Sequence, residues 1–143
     1  MKKILALLVC VLCLCGCEKD TIIEPIFDSQ ERSQEMKIEI NHQVYSLFLE
    51  DNETVRALYD LLPLEVNMNE LNGNEKYVYL SEKLPVNENK VGRVHKGDVM
   101  LYQDNCLVIF YKDFETPYSY TKIGSIQGLT DLGKESISIK IHK

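Results

Sequence analysis

The sequence predicts a mainly β domain, a closed or nearly closed barrel with one full α-helix. Three observations carry that prediction. From Met36 onward, short runs alternate apolar and polar residues between clusters of turn-forming residues, the pattern of many half-buried strands. A single stretch, "DNETVRALYDLLP", instead repeats apolar residues at helical spacing. Neither an internal repeat nor a second apolar core divides the chain, so one domain is expected over residues 36–143. Many short strands within one domain remove their exposed edges by closing on themselves.

Each element has its own local reason. "MKIEI" places Met36, Ile38 and Ile40 on one face, "NH" supplies a tight turn, and "QVYSLFLE" places Tyr45, Leu47 and Leu49 on one face. Two alternating runs around a two-residue turn make a β-hairpin. The helix is expected over about Asn52–Leu62. Asp51 or Asn52 caps it, and Glu53 in the first turn meets the positive end of the helix dipole. Val55, Leu58, Tyr59 and Leu62 form its apolar stripe, and Pro63 prevents continuation.

"LEVNM" alternates again, a third strand built on Leu64, Val66 and Met68. A loop-rich stretch follows, with a short strand at Tyr77–Leu80. "DVMLY", "NCLVIFY", "YSYTKIGSI" and "SISIKIH" then read as further strands, and "TDLGKE" is a candidate for a helical turn.

The N-terminus carries a different message. "MKKILALLVCVLCLCGC" has two lysines before an uncharged apolar run too short to span a bilayer as a mature helix, the layout of a signal peptide. Leu14-Cys15-Gly16-Cys17 resembles the bacterial lipobox. That resemblance implies cleavage after residue 16, lipidation of the Cys17 thiol and acylation of the new amino terminus, with palmitate-like chains as membrane anchor. Each buried CH₂ contributes about 0.8 kcal/mol, so several chains on one residue anchor durably. Residues 17–35 show no periodicity and read as a tether, with a reach on the order of 25 Å for a flexible chain. The expected location is therefore the cell membrane or outer membrane, with the domain outside the cytoplasm.

Composition narrows the partners. The formal charge is −6, and loss of Lys2 and Lys3 with the signal makes it more negative. Such a domain lacks the basic patch that neutralises phosphates, so no nucleic-acid partner is expected, and adhesion to anionic lipid falls to the anchor. Once the signal leaves and Cys17 is acylated, Cys106 is the one free thiol and no disulfide can form.

Three segments, in this order along the chain, resemble the bacterial cyclophilin-like domains: "NGNEKYVYLSEKLP", "GDVMLYQDNCLVIFYKDF" and "YSYTKIGSI". The resemblance runs from Met36 to Lys143 and implies an eight-stranded cyclophilin-like barrel with the helix plugging one end. Catalytic cyclophilins carry a Phe-His-Arg run behind their proline pocket, whose guanidinium lowers the rotation barrier of an X–Pro bond. The comparable strand here is "KYVYLSEK", without arginine; Arg32, Arg56 and Arg93 are the only arginines, and there is no tryptophan. Peptidyl-prolyl isomerase activity is therefore not carried over, and no catalytic residue is assigned.

Among candidate sites, Cys106 sits in "CLVIFY", apolar on both alternations, and reads as wall material rather than nucleophile. His42, His95 and His142 lack metal-ligand spacing, and no cofactor motif is present, so neither metal nor cofactor is expected. Glu75, Tyr77, Tyr118 and Tyr120 are the candidate ligand-binding residues, because aromatic rings with polar tips suit a shallow pocket. Lys76 is expected to join Glu75 as a charged pair at its rim.

The sequence thus reads as a lipid-anchored envelope module, non-catalytic, that binds a peptide, a small ligand or an envelope protein. A divergent isomerase or folding assistant is the alternative. It requires the Arg93 guanidinium to enter the tyrosine-lined pocket.

Overall fold

The computed structural model describes residues 34–143. The expected signal peptide, Cys17 and all of the tether up to residue 33 lie outside the described residues. The strands are β1 Gln34–Ile40, β2 Gln43–Leu49, β3 Leu64–Leu71, β4 Glu75–Tyr79, β5 Asn89–Lys90, β6 Arg93–Val94, β7 Asp98–Tyr102, β8 Cys106–Phe110, β9 Phe114–Glu115, β10 Ser119–Ile126 and β11 Ile137–His142; helix α1 is Glu53–Asp60. No helix among the described residues is long and apolar enough to cross a membrane.

Eight strands close a ring. The order β2-β1-β11-β3-β4-β8-β7-β10 returns to its start through pairing of β10 with β2, and the short β5 hangs on β10 outside it. All the pairings are antiparallel. The barrel expected from the sequence is present, and closure leaves the long strands no free edge.

Local chemistry sets the register. Asn41 and His42 both take positive φ, at 46° and 69°, between the paired residues Ile40 and Gln43. That is the two-residue turn whose twist matches flanking strands. Asn41 is tied down further by Ser138, whose backbone N donates to Asn41 Oδ1 at 3.0 Å. β1 begins at Gln34, so Gln34 and Glu35, assigned to the tether, extend the first strand by pairing with Leu49 and Phe48.

The helix is shorter than expected at both ends. Asn52 is the N-cap: its side-chain oxygen accepts from Val55 N at 2.9 Å while its amide donates to Lys122 O at 2.8 Å. Val55, Leu58 and Leu62 are buried, and with Met36, Leu47, Leu49 and Ile141 they line one small cavity. The helix therefore covers the barrel end where β1 starts and β2 stops. Tyr59, expected on the buried stripe, is 40% exposed instead; its ring lies 4.9 Å from the Lys143 ammonium at the helix edge. "TDLGKE" forms no helical turn. Leu129 is buried, and Gly133 N donates to the Asp131 carboxylate at 2.9 Å within this irregular segment.

The sheet carries apolar residues on both faces along β7, β8 and β10, which corrects the expectation of a single core. Val99, Leu101, Leu107, Ile109 and Ile123 join the barrel interior. Val94, Met100, Cys106, Val108, Phe110 and Tyr120 form a second cluster. Alternation along a strand sends successive side chains to opposite faces, so the second cluster lies on the outside of the wall. The β6–β9 ribbon covers part of it through Val94 and Phe114. The uncovered remainder is the candidate site.

Candidate functional site

The outer face of β4, β8, β7 and β10 builds a groove of about 520 Å³, within the range of small-molecule sites. On β4 the alternation puts Glu75, Tyr77 and Tyr79 on this face, opposite Phe110, Val108 and Cys106 of β8. Tyr102 enters from β7, which pairs with Cys106, and Tyr120 from β10. Thr116, Pro117 and Tyr118 form the wall leading into β10.

The structure therefore gathers all four sequence-named residues. Glu75, Tyr77, Tyr118 and Tyr120 line one groove, although they come from segments over forty positions apart. The groove rings pack edge to face or tilted. Tyr102 and Tyr120 are 5.7 Å apart by ring centroid, Tyr102 and Tyr118 5.9 Å, Tyr77 and Tyr79 5.9 Å, and Phe110 meets Tyr120 at 5.4 Å with an interplanar angle of 88°. Such offset contacts are the favoured aromatic geometry and stiffen the floor. Tyr120 is buried, whereas Tyr79 and Tyr118 stand open at the rim.

One sequence expectation fails for a simple physical reason. Lys76 does not reach the groove rim beside Glu75; the next side chain along β4 points the other way and is fully buried. Its ammonium donates to Gly133 O at 2.7 Å and Glu135 O at 2.6 Å, and lies 5.0 Å from the Tyr111 ring centroid. Burial lowers the Lys76 pKa, opposed by the charges of Glu70, Glu135 and Asp131. Tyr111, one position beyond the groove-side Phe110, also lies in the interior cluster, where its hydroxyl donates to Glu70 Oε1 at 3.1 Å. Burial, with help from that bond, pushes its pKa up to about 12.

Sequence reasoning missed Asn74, Tyr102, Glu115 and Cys106 as groove residues. Tyr79 shares the groove face of Tyr77 through alternation along β4. Tyr102 and Cys106 needed the β7–β8 register, since the turn at Gln103-Asp104-Asn105 sets them opposite each other. Glu115 needed the β6–β9 ribbon, which no periodicity announces in two-residue strands.

Electrostatically the groove is one-sided. Its lining holds Glu75 and Glu115 and no lysine, arginine or histidine. Burial, and secondarily the charge of Glu70, raises the Glu75 pKa. Among the described residues, the Glu75 carboxylate has no hydrogen-bond or ion-pair partner. Asn74 Oδ1, also in the lining, is buried with no hydrogen-bond partner. Arg93 is exposed, pairs along the backbone with Glu115, and is not in the lining. Among the described residues no group of histidine, cysteine and carboxylates has metal-binding geometry.

Cys106 is groove floor, buried, with its pKa pushed up to about 11 by burial and by the charge of Glu75. A thiol held in this way is a poor nucleophile. The unfolded thiol ionises near its ordinary 9.0 and the folded one near 11, so the unfolded state loses its proton first. The associated stability is complete below pH 9 and is lost as pH rises towards 11. Urea midpoints at pH 8 and 10.5 should therefore fall less in Cys106→Ala than in the wild type; equal falls would show that the thiol is not held protonated.

The closed barrel with an outer groove defines the class, and sequence comparison agrees. The chain belongs to the cyclophilin-like family, which it matches over residues 38–142. Among solved structures it is similar to a hypothetical protein from Archaeoglobus fulgidus determined in solution, with TM-score 0.50 and 22% identity, over 76% of this chain and 92% of that one. At that identity the likeness concerns the fold. No curated protein matches the chain.

Proposed function

We propose that this protein is a lipid-anchored, envelope-exposed binding module that holds a ligand in the tyrosine-lined groove without catalysing its conversion. The observation that carries the reading is convergence: Glu75, Tyr77, Tyr118 and Tyr120, named from sequence, line one open groove of about 520 Å³ on the outside of the barrel. A hydroxyl-tipped aromatic floor orients a ligand through apolar contact and a few hydrogen bonds. Cys17 supplies the membrane attachment in this reading, and the tether lets the groove face the surroundings.

Arg93 bears on catalysis. The isomerase alternative requires a guanidinium beside the substrate amide, and Arg93 lies outside the lining with its side chain exposed. Lys76, the nearest cation in sequence, is committed to two carbonyls on the other face.

Two measurements test the proposal. A protease-coupled assay on Xaa-Pro peptides should show no acceleration above the uncatalysed rate; acceleration lost in Arg93→Ala would overturn the non-catalytic reading. Fractionation of cells producing Cys17→Ser should move the protein from the membrane to the soluble fraction, and unchanged membrane association would refute the anchor.

A further inference from the structure

The groove is a carboxylate set in aromatic rings, with no positive charge of its own. Five of the chain's eight tyrosines line it, and so do Glu75 and Glu115. Lys76, the residue beside Glu75, cannot neutralise it, because strand alternation has turned that ammonium to the far side of the sheet. The Glu75 carboxylate lies in this groove without a side-chain donor among the described residues, beside Asn74, whose buried Oδ1 has no hydrogen-bond partner. A half-buried carboxylate without a partner is costly, and what relieves it is an opposite charge. The surrounding ring faces attract the same charge, since cations sit favourably over tyrosine rings. An anionic ligand would meet two carboxylates and no cation.

Resting on the binding-module reading, we propose that the groove takes a small organic cation, a primary ammonium on an apolar body, with Glu75 as its counter-ion. The apolar body lies on the tyrosines of β4, β7 and β10, and the ammonium donates to the Glu75 carboxylate. A volume of about 520 Å³ fits a small molecule rather than a folded partner.

The test uses three linear probes of matched length that do not absorb where tyrosine does: n-pentylammonium, n-pentanol and n-pentanoate. The chain has no tryptophan, so its intrinsic fluorescence comes from tyrosine and reports largely on the groove. Amide NMR shifts at Tyr77, Tyr102 and Tyr120 locate the binding. The expected result is pentylammonium at least about tenfold tighter than pentanol, with pentanoate weakest. In Glu75→Gln, which keeps the shape and removes the charge, that ratio should fall towards one while pentanol binding is kept.

Equal affinity for the ammonium and the alcohol in the wild type, with shifts at the groove tyrosines, would overturn the cation inference and leave the binding groove standing. No shift at those tyrosines with any probe up to saturation of the assay would overturn both. Nα-acetyl-lysine methylamide binding more than about tenfold tighter than pentylammonium would show that the groove reads a lysine side chain of a peptide, and would overturn the small-molecule source.

Discussion

Gly124→Ala should cost the domain about 3 kcal/mol or more, a fall of more than about 1 M in the urea midpoint. Gly124 stands in the middle of β10, paired with Leu49 of β2 on one side and Val99 of β7 on the other. The register of β10 slips between Lys122 and Gly124, so a bulge lies at this position. Bulges and glycines bend strands where barrels close, and β10 with β2 is the pairing that completes the ring. A Cβ at residue 124 would collide with the Phe48 carbonyl oxygen and lie 3.1 Å from Leu49 Cα. Those are backbone atoms of the facing strand, and no rotamer change can move them aside.

The cost is a large part of the about 5–15 kcal/mol that holds a domain of this kind together, and Gly124→Val should cost more. Gly128→Ala makes the control. That residue also lacks a Cβ, but nothing lies within 4 Å of where one would stand, and only its φ of 68° opposes a side chain. About 1 kcal/mol is expected there. A wild-type midpoint for Gly124→Ala would show that the ring is not closed as described.

Lys76→Ala should be comparably damaging, at about 4 kcal/mol. The substitution removes two short charge-assisted bonds, to Gly133 O and Glu135 O, and a cation facing Glu70 and the Tyr111 ring. It leaves a cavity and takes the donor from the Gly133 and Glu135 carbonyls, and breaking a buried charge network from one side costs about 3–5 kcal/mol. The ammonium fastens the irregular segment between β10 and β11 against the barrel, where Leu129 is buried and Thr130 meets the Tyr45 hydroxyl at 3.1 Å. Lys76→Met keeps most of the volume and isolates the polar loss, for which about 2 kcal/mol is expected. Urea melts of both variants, with amide hydrogen exchange across residues 127–136, measure the effect. Faster exchange there at unchanged protection of β1 and β2 is the signature of a released latch, whereas a neutral Lys76→Met would refute it.

Lys76 also shows where sequence reading reached its limit. Glu75 and Lys76 are adjacent, and a loop-rich context made them look like one charged rim. In a strand they occupy opposite faces: Glu75 lines the open groove, and Lys76 lies beneath the segment ahead of β11. Which face of such a strand is interior depends on pairing partners far away in the chain. The same alternation turns Tyr111 inward, one position beyond Phe110 of the outer cluster.

Local chemistry was enough wherever the determining forces are local. Alternation in "MKIEI" and "QVYSLFL", the Asn41-His42 turn, the Asn52 cap and the double-sided apolar run "CLVIF" all dictated their elements, because propensity, capping and turn geometry act within a few residues. From these, with the family resemblance, followed a barrel, one helix and a cysteine that belongs to the wall. Closure through Gly124, the second apolar cluster outside the barrel, the inward turn of Lys76 and the charge of the groove were decided by tertiary structure. Each depends on which distant strand lies alongside, and pairing across long sequence separations is written in no single segment.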